Sequence, residues 1–128
     1  MAWKHTHSEQ YKQQKIRYRH KHYHRIWSKA TLSRHRKKGH VTEISTSELT
    51  KIAKNAHVCA YCGCELDWST YKDGKPVPNS PSLDRIGNGL IIRQNNIQII
   101  CLQCNTTKFN RTHDDFILYC KKVVEMSS

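Results

Sequence analysis

At 128 residues with a formal net charge of +12 and a pI near 9.6, the chain has room for one modest core, and its field attracts polyanions, nucleic acid before an acidic membrane surface. No apolar run approaches the length of a membrane span, and the opening MAWKHTHSEQ lacks the apolar stretch of a secretory signal. A reducing, cytoplasmic setting is therefore expected, in which the six cysteines serve as metal ligands or buried thiols rather than disulfides.

The charge is concentrated at one end. Residues 1–40 carry twelve Lys and Arg against Glu9, a net +11, whereas residues 41–128 carry ten against nine, a net +1. Within residues 1–38, Ile16, Tyr23, Trp27 and Ala30 recur at helical spacing among Arg17, Arg19, Lys21 and Arg25, and neither proline nor glycine interrupts before Gly39. The pattern predicts a basic helical arm that grips nucleic-acid phosphates, with a solvated tail that orders on binding as the other reading. His20, His22 and His24 alternate and so fall on different helix faces, which makes them reserve charge rather than a metal tract.

Residues 39–128 form the second predicted unit. STSELTKIAKNA has Ser45 and Glu48 at capping-box spacing and Leu49, Ile52, Ala53 and Ala56 on one face, a short packing helix. Two C-x-x-C pairs follow, Cys59 with Cys62 and Cys101 with Cys104, the complement of thiolates that a closed tetrahedral Zn2+ site takes. Cys64 offers itself as a substitute for Cys62. Between the pairs, PSLDRI reads as a strand, Asn88-Gly89 as part of a loop and NNIQIIC as a second strand running into the second knuckle. Asn105 and TTKFNR then read as a helix. Asp84 on the first strand and Asn105 at the helix start are oxygen ligands suited to a hard cation such as Mg2+ or Mn2+. A last helix, capped by Thr112 and Asp115, carries Cys120 with Phe116, Ile117, Val123 and Val124 on its apolar face, which reads as core.

Together, CAYC and SLDRIGNGLIIRQNNIQIICLQCNTTK resemble the HNH, or ββα-metal, endonucleases, in the branch braced by a four-cysteine zinc, over roughly residues 38–125. The resemblance implies an α+β fold with a ββα-metal core, a divalent ion held by Asp84 and Asn105, and Asn96 shaping the loop. Where the family usually has the histidine that activates water, this chain has Arg85, which stays protonated and cannot act as a base. A restriction endonuclease of that family shares the Asp-Arg pair, a Gly-His upstream and a tyrosine inside the first knuckle, here Asp84-Arg85, His40 after Gly39, and Tyr61.

Phosphodiester cleavage needs an activated nucleophile, a charge clamp on the phosphate and stabilisation of the leaving oxygen. Arg85 suits the clamp, and Lys108 and Arg111 are expected to hold phosphates. Tyr61, if a cation lowers its pKa, or His40 would activate the nucleophile. Because adjacent strand residues point to opposite faces, Asp84 and Arg85 reach one phosphate only if the strand ends or twists there, which Gly87 and Gly89 would permit. The expected function is a DNA endonuclease acting on double-stranded DNA, as a homodimer if it cuts both strands of a palindrome. The competing reading is a non-catalytic zinc-finger nucleic-acid binder.

Overall fold

The computed structural model describes residues 2–69 and 75–128, with the side chains of residues 2–7, Ile16, Arg19 and His20 outside the description. The architecture is α+β, with four α-helices, one 3-10 turn and two small two-stranded sheets among the described residues. No helix is long and apolar enough to cross a membrane among those residues.

Helix α1, Ala2–Lys37, runs 36 residues with a kink at His22, whose φ of −122° and ψ of 16° leave the helical region. Its two halves differ in kind. From Ser8 to Tyr18 every described side chain is exposed, Arg17 included. Beyond the kink, Leu32, Ser28 and Thr31 are fully buried, and Tyr23 and Trp27 pack on the core. The Trp27 indole donates to the Pro81 carbonyl at 3.2 Å, tying the helix to a strand 54 residues away. The second half of the predicted arm is thus a structural member of the domain, because Trp27 and Leu32 gain more from burial than the flanking Lys and Arg lose by staying at the surface. Lys21 and Arg25 remain exposed. The expected roles of Ile16 and Arg19 fall on side chains outside the described set.

A short strand β1, Val41–Thr42, leads to α2, Thr46–Lys54, which starts with the predicted capping box. Ser45 Oγ accepts from Glu48 N, and Glu48 Oε1 accepts from Ser45 N, both at 3.1 Å. Leu49 and Ala53 are buried, with Ile52 and Ala56 beside them. The two strands expected around the Asn-Gly loop are β2, Pro81–Arg85, and β4, Ile97–Cys101, paired antiparallel from Pro81 opposite Cys101 to Arg85 opposite Ile97. Between them, β3, Ile91–Ile92, pairs in parallel with β1, and a 3-10 turn spans Gln94–Asn96. The Asn96 amide bridges this connection, its Oδ1 accepting from Arg93 N and its Nδ2 donating to Ile91 O, both at 2.8 Å.

Helix α3, Leu102–Lys108, follows β4 directly, capped by the Cys101 sulfur, which accepts from Cys104 N at 3.3 Å. Asn105 is therefore the fourth residue of α3 rather than its start. Helix α4, His113–Ser127, is capped as expected by Thr112 Oγ1, which accepts from Asp115 N. Phe116 is buried, but Val123 and Val124 are 47% and 66% exposed and Cys120 is only partly buried, so the far end of the supposed core face lies at the surface. Spacing identified an apolar stripe there, but α4 extends past the last layer able to cover it.

Candidate functional site

Four sulfurs converge first. Cys59, Cys62, Cys101 and Cys104 bring their Sγ atoms within 4.8 Å of one another, a set that could hold a metal ion such as zinc. Local backbone prepares them: Cys59 Sγ accepts from the amides of Tyr61, Cys62 and Cys101 at 3.4, 3.5 and 3.2 Å. Three backbone amides thus converge on one sulfur and fix its position in the cluster. Gly63, at φ +74°, makes the tight turn that returns the first knuckle on itself, with Gly63 N bonded to Cys59 O. Cys64 lies outside the four-sulfur set, next to Cys62, whose thiol is pulled down to about 6, first by the Cys64 backbone amide.

The second site is a cavity of about 450 Å³ where the end of α1, the end of β2 and α3 meet. Its wall contains His40, Asp84, Arg85, Asn105 and Arg111, five of the residues singled out in the sequence, together with Arg34, His35, Lys38, Asn88 and Phe109. Arg34, Lys38, Arg85 and Arg111 are cations, and among the described residues Asp84 is the one carboxylate on that wall. Among the described residues the site therefore presents an excess of positive charge in a concave space, a form that suits an anion such as phosphate.

Asp84 and Arg85 are not paired with each other. Asp84, 4% exposed, takes Lys108 Nζ on both oxygens at 2.8 and 2.9 Å and Gln98 Nε2 at 2.9 Å. Lys108 is itself 1% exposed and also reaches Arg85 O at 3.2 Å. The expectation that Lys108 holds substrate phosphate is thereby corrected: a buried ammonium is stable only beside a buried anion, and Asp84 is that anion. Arg85 Nη1 instead donates to Gly89 O at 2.6 Å, folding the guanidinium back over the loop. Both side chains line one cavity because β2 ends at Arg85. The turn that ends it places Asn88, not Gly87 or Gly89, in the left-handed region, at φ 58°, which asparagine tolerates, and Asn88 Nδ2 anchors on Asn110 O.

Asn105 Nδ2 donates to Ser82 Oγ at 2.6 Å, so any ligation by Asn105 would be through its carbonyl oxygen. Asp84 has about four acceptor positions; the bonds to Lys108 and Gln98 use three, and the Tyr61 side chain also interacts with the carboxylate. One carboxylate and one amide oxygen on a shared wall fit Mg2+, which keeps most of its waters and takes further oxygens from phosphate. Arg111 is held on α3 by Thr107 O at 3.0 Å and stacks 4.7 Å from the Tyr119 ring centroid.

The two candidate activators are placed differently. Tyr61 is not on the cavity wall. Its hydroxyl lies 2.9 Å from His113 Nδ1 with the rings stacked, and burial, then Asp84, pushes its phenol up to about 12, the reverse of what a nucleophile needs. His40 is on the wall, with Nδ1 2.9 Å from His35 Nδ1. Burial, then His40, Arg85, Lys38 and Arg34, lowers His35 to about 4; burial, Arg85 and Lys38 lower His40. Sequence reading missed His35, yet its signal was present. Gly39, at φ +91°, closes α1 with His40 N on His35 O and Gly39 N on Arg36 O, both at 3.0 Å. This is the Schellman pattern, which brings the side chains on either side of the glycine, here five residues apart, into contact.

Against known proteins, the chain matches no family model, no curated protein and no solved structure.

Proposed function

We propose that the chain is a metal-dependent DNA endonuclease that hydrolyses phosphodiester bonds at the cationic cavity, on an HNH-type strand-strand-helix core braced by zinc on Cys59, Cys62, Cys101 and Cys104. One observation carries the reading: segments distant in sequence deliver His40, Asp84, Arg85, Asn105 and Arg111 to one wall. In this reading Arg85 and Arg111 hold the non-bridging phosphate oxygens and stabilise the charge that grows on them. His40 takes the proton of the attacking water, a role for which its neutral state at physiological pH qualifies it. Tyr61, off the wall and with a raised pKa, orients His113 instead. A divalent ion on Asp84 and Asn105 would supply electrophilic stabilisation of the leaving 3′ oxygen.

A second reading has its own observation. The ammonium of Lys108 already neutralises Asp84, and a site that carries its own cation suits a nucleic-acid binder with no catalytic metal. Incubating purified protein with supercoiled plasmid, with and without Mg2+, and sequencing the ends separates the two. Cleavage that requires the metal supports the nuclease, and its cut geometry reports whether one strand or a homodimer's two are cut. Retarded but intact plasmid under both conditions replaces it with the binder.

A further inference from the structure

Resting on the nuclease reading, we infer that His35 is the positioning residue for His40, holding it in the tautomer whose Nε2 carries the lone pair. The two Nδ1 atoms lie 2.9 Å apart, so one bears the hydrogen and the other accepts it. If His35 donates, neutral His40 must carry its proton on Nε2 and has no atom left to accept one. If His40 donates, Nε2 is bare, and proton uptake there leaves the Nδ1 hydrogen bond intact. The general-base role selects the second arrangement, because only then is Nε2 of His40 bare. Burial, together with His40, Arg85 at the end of β2, and Lys38 and Arg34 of its own segment, keeps His35 from the imidazolium form, which could only donate at Nδ1 and would close that arrangement.

Backbone geometry makes the pairing obligatory rather than incidental. The Schellman closure at Gly39 fixes the two residues side by side, and the rings meet with centroids 5.1 Å apart. A carboxylate is the usual partner that sets a histidine tautomer. Here it would cancel charge that the cavity needs for phosphate, and a neutral imidazole fixes the same tautomer without that loss.

Nitrogen-15 NMR of the histidine rings at neutral pH tests the assignment without DNA. In the parent protein His40 should carry its hydrogen on Nδ1, His35→Gln should keep that tautomer through the amide oxygen, and His35→Phe should release it to Nε2. On the same samples, His35→Phe should lower kcat by roughly 10²-fold with DNA Kd unchanged, the scale of losing a general base, and His35→Gln should restore most of it. A parent His40 protonated on Nε2, or a tautomer indifferent to His35→Phe, overturns the proposal. If the tautomers behave as stated but none of the proteins cuts DNA, the positioning role stands and the nuclease reading fails.

Discussion

Asp84 and Arg85 are adjacent because they face the cavity with different obligations, one buried and satisfied, the other bent back over its own loop. Breaking the buried pair from the lysine side leaves a stranded carboxylate, so Lys108→Met should cost about 3–5 kcal/mol in urea melts recorded in EDTA. If Asp84 also binds the divalent ion, Mg2+ should return part of that loss, because the ion replaces the missing positive charge; melts that coincide with and without Mg2+ would remove Asp84 as a ligand. Arg85→Ala should leave the melt nearly unchanged and lower turnover at saturating Mg2+ by roughly 10²–10³-fold, typical of losing one electrostatic stabiliser. Loss of stability in place of turnover would assign Arg85 to the Gly89 loop alone. The pair was visible in the sequence but its partner was not. The spacing from Asn105 to Lys108 puts both on α3, and nothing in residue type says that the lysine turns inward.

Among the elements, α1 is the one whose pattern was half legible. Helical spacing and charge were plain, but a run of lysine and arginine looks the same whether the few apolar residues between them cover a core or face water. Trp27 settles that only by reaching Pro81, 54 positions away, and Leu32 by packing with Leu83, Ile92 and Ile97. Removing residues 1–18 should therefore flatten the salt dependence of DNA binding, by about 0.9 in log-log slope for each phosphate no longer neutralised, and leave the thermal melt in place. Removing residues 1–30 should lower the melting temperature as well, since Trp27 and Ser28 go with it. Equal melts for the two truncations would mean that the second half of α1 is dispensable. The caps of α2 and α4 were legible because each depends on neighbours in sequence, and β2 and β4 as strands because each carries its own apolar run. The surface position of Val123 and Val124 was not, because it depends on where the rest of the molecule stops.

For the molecule as a whole, the cysteine cluster brings the loop after α2 against the end of β4 and the start of α3. If the cluster holds zinc, chelation, or Cys101→Ser, which removes the sulfur but keeps a capping oxygen for α3, should abolish the cooperative melt and, on the nuclease reading, DNA cleavage with it. A Cys101→Ser protein that melts like the parent would show that the cluster is not what holds the fold. The kink at His22 has a consequence of another sort, one of length. The twenty residues of α1 before it extend about 30 Å, and a duplex advances about 3.4 Å per base pair, so this segment measures off about nine base pairs. If the nuclease reading holds, this segment laid along DNA would make the footprint lopsided, reaching nearly one duplex turn further to one side of the cut. Hydroxyl-radical footprinting should show that extension disappear with residues 1–18, and a palindromic site bound by two copies should show it at both ends.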